Sequence, residues 1–188
     1  MKIVLVHNRY RSAAPSGENR VVDQEGQALR DRGHEVIPFE RHSDDIERWP
    51  AARRAAVPAR VIWSREARRA LTATLREHKP DVVHVHNTFP LLSAAILYAC
   101  RDMSVPVVTT IHNYKLACAS GDFFRQGAAC HDCDHGLPWP ALRHGCYRGS
   151  RVATAPVALA MSAHRPAWKS MVAAYIFISA AQRDLLNG

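Results

Sequence analysis

Apolar and polar positions alternate along the chain in blocks that name its elements. Lys2 to His7 is an almost unbroken apolar run ending in His-Asn, the pattern of a strand buried on both faces. A polar loop, Asn8 to Ser16, leads into a helix from Gly17 to Arg32. Val21, Val22, Glu25, Ala28 and Leu29 share one of its faces, and Glu25 is the one polar interruption. Ser16 has the side chain of an N-cap, and Gly33 stands where a left-handed C-terminal cap belongs. Glu35 to Phe39 is a second strand. The stretch from Glu40 to Arg60 is polar and broken by proline, and takes no clear period.

Beyond it, Ser64 to His78 is helical, with Ala67, Ala70, Leu71, Thr74 and Leu75 spaced for burial. Asp81 to His86 reads as a strand, Pro90 to Cys100 as a helix opened by proline, and Val105 to Ile111 as a β-branched strand. Arg151 to Ala163 is a further helix. Tyr175 to Ser179 is a last buried strand, followed by a short helix to Gly188. Strand and helix alternate, so the expected fold class is α/β, a doubly wound, mainly parallel Rossmann-like sheet with helices on both faces. Residues 113–150 break the pattern with Gly, Cys, His and Pro. That stretch is too long for a simple connector and is read as an insertion. There is no internal repeat and no low-complexity segment.

With 188 residues the chain has room for one core, not two full domains. Its 47% apolar and 22% charged residues are ordinary for a globular protein. No apolar run reaches the roughly 20 residues a membrane span needs, and the N-terminus lacks a signal-peptide pattern. The expected location is therefore the cytoplasm. A formal charge of +8 raises the question of nucleic acid, lipid or phosphorylated ligands. Arginine is spread along the whole chain, so the charge alone points to no single partner. The densest stretch, Arg48 to Arg76, reads as a solvated helix face plus loop, or as a patch leaning on an anionic membrane at the inner face. The Ala-rich segment Val152 to Ala174 packs on the sheet or rests on the membrane as an amphipathic element.

In open α/β sheets ligands bind beyond the carboxyl ends of the strands. Those ends carry His7-Asn8, His84, His86-Asn87, His112-Asn113-Tyr114 and Ser179, and three of them end in His-Asn. One such histidine caps or seals a core. Three together converge on one cleft. The first strand–helix turn has Pro15-Ser16-Gly17 and not Gly-x-Gly-x-x-Gly, which argues against a dinucleotide cofactor. Its backbone amides can still approach a phosphate.

These residues carry a resemblance. Lys2-Ile3-Val4-Leu5-Val6-His7, Ser16-Gly17-Glu18-Asn19-Arg20-Val21-Val22 and Leu29-x-x-x-Gly33-His34-Glu35-Val36 come first. Then follow Pro80 to His86, Pro106 to His112, and the terminal Ile178-Ser179 to Gly188. In that order they resemble the N-terminal domain of group 1 (family 4, glycogen-synthase-like) retaining glycosyltransferases. The resemblance spans nearly the whole chain. It implies a GT-B enzyme of two Rossmann-like domains, with residues 1–188 as the acceptor-side half. The donor-binding half, with its paired glutamates, would follow. Alone, this half is expected to be inactive, and no cofactor is expected for catalysis.

The resemblance also assigns residues. Ser16 and Gly17 stand at the loop that meets the donor diphosphate, with Ser where the family often has a first Gly. His112 is expected to touch the donor sugar near the reacting carbon and is the catalytic candidate. His86, Asn87, Asn113, Tyr114 and Asn8 line the acceptor side. The implied partners are a nucleotide-sugar and a saccharide or lipid-linked acceptor for polysaccharide assembly.

Cys118, Cys130, Cys133 and Cys146 form C-x11-C-x2-C-x12-C, with His131, His135 and His144 among them. Cys-x-x-Cys lets two thiolates reach one tetrahedral ion, so the four are candidate ligands of a structural zinc. The other reading is four reduced thiols in a loop ordered by packing. Cys100 lies in an apolar helix and is a core residue. A basic, zinc-containing nucleic-acid-binding module is the rival class. It is weakened because aromatic residues are not interleaved with the basic stretch and the cysteine span is long for a knuckle. Partners are therefore expected to exclude nucleic acid. A non-catalytic sensor domain would need no convergent His-Asn ends.

Overall fold

The computed structural model describes residues 1–13, 16–134 and 136–187. Strands β1 (Lys2–Arg9), β2 (Glu35–His42), β3 (Val82–Asn87), β4 (Val107–Ile111) and, late in the chain, β7 (Ala174–Phe177) form one sheet. Its order is β2-β1-β3-β4-β7 and every pairing is parallel. The α/β doubly wound expectation therefore holds. Two-residue strands β5 (Phe124–Arg125) and β6 (Ala128–Ala129) pair antiparallel as a small hairpin inside the insertion.

Alternation along each strand divides the sheet into two faces. Val4, Val6, Val83, Val85 and Val107 point to one side, where they pack with helices α5 (Arg65–His78) and α6 (Ala95–Asp102). Leu71, Leu75, Ile96 and Leu97 complete that core, each 1% exposed or less. Helix α1 (Gly17–Asp31) lies on the opposite face against β1. Its Gly26 faces Leu5, where a Cβ would stand in van der Waals contact with the Leu5 side chain at 3.4 Å. The helix ends as the sequence indicated. Ser16 Oγ accepts the Glu18 N–H, and Gly33 turns the chain at φ 81°, a conformation other residues resist. The apolar face is rotated slightly from the expected one: Val21 is 41% exposed, while Val22 and Gly26 are buried.

Three helical segments differ from the sequence reading. The segment after β2 folds into three short helices, α2 (Asp45–Arg48), α3 (Ala51–Ala55) and α4 (Val57–Ile62). The helix expected from Pro90 begins only at Ala95. Residues 88–93 instead form a turn in which the Leu92 and Ser93 N–H groups both donate to Thr88 O, and Ser93 adopts φ 57°. After the short helix α7 (Trp139–His144), the helix expected to stop at Ala163 runs on as α8 (Arg151–Met171), through Pro156 and Pro166. Each proline removes one donor and crowds the carbonyl four residues earlier, a cost that burial of the helix face offsets. The buried series Val157, Met161, His164 and Ala167 continues past both.

β7 is not the buried strand the sequence suggested. Ile176 is 47% and Ile178 60% exposed. The strand lies at the sheet edge, with Ile176 paired in register with Thr110. Helix α9 (Ala180–Asn187) closes the chain. Among the described residues no helix is long and apolar enough to cross a membrane.

Candidate functional site

In a sheet of this order the direction of winding reverses between β1 and β3, the place at which open α/β sheets bind their ligands. The polar strand ends lie around it. Because side chains alternate, His7 on β1, His84 and His86 on β3, and Thr110 on β4 all face α1, and His112 follows β4 in the same phase. Parallel pairing then joins them in two rungs. His84 Nε2 lies 2.8 Å from Thr110 Oγ1, and His86 Nδ1 lies 2.9 Å from His112 Nε2. The His86 and His112 rings stack at 5.2 Å, and His84 and His86 approach to 4.4 Å.

Glu25, the polar interruption on α1, reaches into this stack. Its Oε1 is 2.8 Å from His84 Nδ1 and its Oε2 is 3.6 Å from His86 Nε2. Glu25, His84 and His86 are, among the described residues, the group of three whose ligand-type atoms all lie within 4.8 Å of one another. Burial pushes His86 down to about 2, helped by the neighbouring His84, His112 and His7 rings. Burial also lowers His112, with Glu25 partly opposing the shift. Both imidazoles are therefore neutral at ordinary pH.

A second polar group adjoins the first. His7 is fully buried, sits edge-on to His86 at 6.3 Å, and has Nε2 2.8 Å from Asn19 Oδ1. Its Nδ1 faces Glu18 Oε1 at 4.0 Å, and neither atom has a hydrogen-bond partner. Tyr10 O–H donates to the other Glu18 oxygen at 3.1 Å. Burial pushes the Glu18 carboxyl up to about 7. Lys115 is held below its ordinary value by burial, against the pull of Glu18, and its ammonium lies over the Phe89 ring at 4.2 Å.

The structure places the sequence candidates unevenly. His86 and His112 come together as described. Asn8 and Asn87 turn inward: Asn8 accepts the Leu91 N–H and donates to Ser43 Oγ, while Asn87 donates to Asn8 O and accepts the Phe89 N–H. Asn113 Oδ1 accepts the Lys115 N–H, which sets the turn leaving β4, and the Tyr114 ring packs on Phe123 at 4.8 Å. Ser16 caps α1. Gly17 has no heavy atom within 4 Å of where a Cβ would stand, so its backbone faces open space. Pro15 and His135 lie outside the described residues.

Glu25, Glu18 and Lys115 were missed as site residues. An acid on the apolar face of a helix was the available signal for Glu25. Glu18 and Lys115 carried none, because their burial depends on the loop after β4 folding back on the first strand–helix turn.

In the insertion, Cys118, Cys130, Cys133 and Cys146 line one small cavity with Phe123 and Ala141. All are free thiols. Burial raises Cys133 and Cys146 above the ordinary thiol value. Cys133 also belongs to a second apolar cluster with Val61, Val157 and Met161, which fastens the insertion to α4 and α8. Cys100 is fully buried, and burial pushes its thiol up to about 12, as a core residue requires. In the basic stretch, Arg53 and Arg60 pair with Glu66, and Arg68 pairs with Asp102.

The family described as Glycosyltransferase Family 4 matches residues 15–187, a span that includes α1, the histidine stack and the cysteine insertion. No curated protein matches the chain.

Proposed function

Because the chain belongs to glycosyltransferase family 4, we propose that it is the acceptor-side, N-terminal half of a two-domain GT-B enzyme. That enzyme transfers a sugar, with retention, from a nucleotide-sugar to a saccharide or lipid-linked acceptor. The observation that carries this reading is the meeting of His86 and His112 beside the switch point of the parallel sheet, with Glu25 of α1 reaching the same group.

The open backbone at Gly17, at the positive end of a 15-residue helix, suits a diphosphate. His112, half-buried and neutral, suits the sugar. A positive side chain there would repel the oxocarbenium-like charge that builds on the reacting carbon, whereas a neutral imidazole can bond a hydroxyl without that penalty. Asn113 and Tyr114 extend the same edge toward an acceptor. Asn8 and Asn87 serve it by fixing the loops rather than by touching ligand. The thiol cavity of the insertion supports a structural zinc, which would draw the four sulfurs onto one ion.

Calorimetric titration with UDP, GDP and their sugars tests the assignment, on residues 1–188 and on the full translated product of the gene. The half-enzyme reading expects weak or no donor binding by the short chain and binding with turnover by the full product. Tight donor binding by the short chain alone would overturn the division of labour.

A further inference from the structure

We propose that Glu25 sets the tautomer of His112 through His86, so that His112 offers its Nδ1 lone pair to the substrate. The inference rests on the reading of His112 as the side chain that meets the sugar.

A neutral imidazole has one N–H and one lone pair, so a chain of imidazoles has a direction. A carboxylate only accepts. Glu25 faces two imidazole nitrogens, and attraction requires a proton on each. His84 Nδ1–H donates to Oε1 at 2.8 Å, which leaves His84 Nε2 to accept from the Thr110 hydroxyl at 2.8 Å. A hydroxyl can supply that proton, so this branch is satisfied. His86 Nε2–H points at Oε2 across 3.6 Å, a gap that a sub-ångström shift of the carboxylate closes. His86 Nδ1 is then the lone pair. The 2.9 Å contact is made by His112 Nε2–H donating to it. The remaining nitrogen of His112, Nδ1, is left as an acceptor.

The opposite direction is disfavoured by burial. It would set the His86 Nε2 lone pair against a carboxylate oxygen, with no other partner in reach. That nitrogen lies in a side chain with 0% exposure and has no hydrogen-bond partner as it stands. Like charges and opposed dipoles that face one another cost most where water cannot intervene. A metal ion between Glu25, His84 and His86 would likewise demand lone pairs on both inner nitrogens, and so the reverse direction. The 2.8 Å separation of Glu25 Oε1 and His84 Nδ1 suits a shared proton. Two ligands on a tetrahedral zinc at 2.0–2.1 Å would stand about 3.3 Å apart.

Glu25 is thus a positioning residue, acting two side chains away from the substrate, as the acid of a catalytic triad fixes its histidine. The consequence is a preference. The sugar group facing His112 must be a hydroxyl that donates, and a deoxy or O-methyl analogue loses the bond.

Long-range 1H–15N correlation spectra of the labelled chain read each imidazole tautomer directly. Wild type is expected to show His112 protonated at Nε2. Glu25→Gln, whose amide can donate to His86 Nε2, is expected to shift His112 toward the Nδ1–H form, and Glu25→Asp to retain the wild-type form. His112 protonated at Nδ1 in wild type would overturn the inference without any variant. The same tautomer in Glu25→Gln would overturn it as well. So would zinc taken up by His84 Nδ1 and His86 Nε2 together. In the active enzyme, Glu25→Gln is expected to lower kcat by about 10–100-fold, the range seen when a histidine's outer partner is removed, with donor KM little changed. A switched tautomer with unchanged turnover keeps the control by Glu25 and overturns instead the placement of His112 at the sugar.

Discussion

Asn87 donates its side-chain amide to the backbone carbonyl of Asn8, 2.9 Å away, tying the ends of β3 and β1 together where the sheet changes winding direction. Asn8 answers by accepting the Leu91 N–H at 3.1 Å, so each loop holds the other. The pair is buried, at 0% and 7% exposure.

Replacing Asn87 with Leu keeps the branched outline of the side chain and removes both bonds, stranding Asn8 O and the Phe89 N–H. Buried groups left without partners cost about 1–3 kcal/mol each. A loss of about 2–4 kcal/mol in urea unfolding is expected. A loss under about 0.5 kcal/mol would show that water reaches these groups.

Glu18 gives the fold a pH dependence of definite sign. Burial raises its carboxyl from 4.5 to about 7, so between those values the folded chain binds more protons than the unfolded one. Stability from this group is fully present below the lower value and falls as pH rises through the window. Glu18→Gln, which can still accept from Tyr10, should therefore equal wild type near pH 4 and exceed it at pH 8. The excess is bounded by about 3 kcal/mol. Parallel wild-type and variant stability curves across this range would contradict the burial argument.

His112→Ala is expected to lower turnover of the active transferase by about 100–1,000-fold, as loss of a preorganised polar contact does. Donor affinity should change little. Because burial places the His112 value below 6.5, protonation of this residue should cut activity only below that pH, leaving the neutral range flat. An acid limb centred above 7 would assign the titration to another group.

Metal analysis of chelator-free protein checks the cysteine cavity. About one zinc per chain is expected, lost in Cys130→Ser together with several degrees of melting temperature. Zinc near zero in the wild type, or a serine variant that melts unchanged, would return the four thiols to ordinary packing.

Much of the architecture was legible in the chain because it is written in short periods. The 3.6-residue spacing of Ala67, Leu71 and Leu75 placed α5 to within one residue, and the Ser16 cap and Gly33 placed α1. The apolar run at 3–6 announced a parallel strand buried on both faces, and the valines within 81–86 announced another strand. The His-Asn endings at 7, 86 and 112 announced which histidines gather beyond the sheet. The turn at 88–93 and the passage of α8 through two prolines were not legible, since both are decided by what packs around them.

Only the tertiary structure could decide partnership. His86 and His112 are 26 residues apart, and they touch because β3 and β4 pair in a register that sets His84 opposite Val108. Glu25 reads in the sequence as a flaw in an apolar face. The docking of α1 on β1 turns it into the carboxylate of a histidine stack. The exposure of Ile176 followed from its strand taking the edge, and the gathering of four cysteines from the closure of a long loop on α4 and α8. Local propensity is a property of neighbours in the chain. Burial, protonation and convergence depend on neighbours in space, which the sequence specifies only through the packing of the whole.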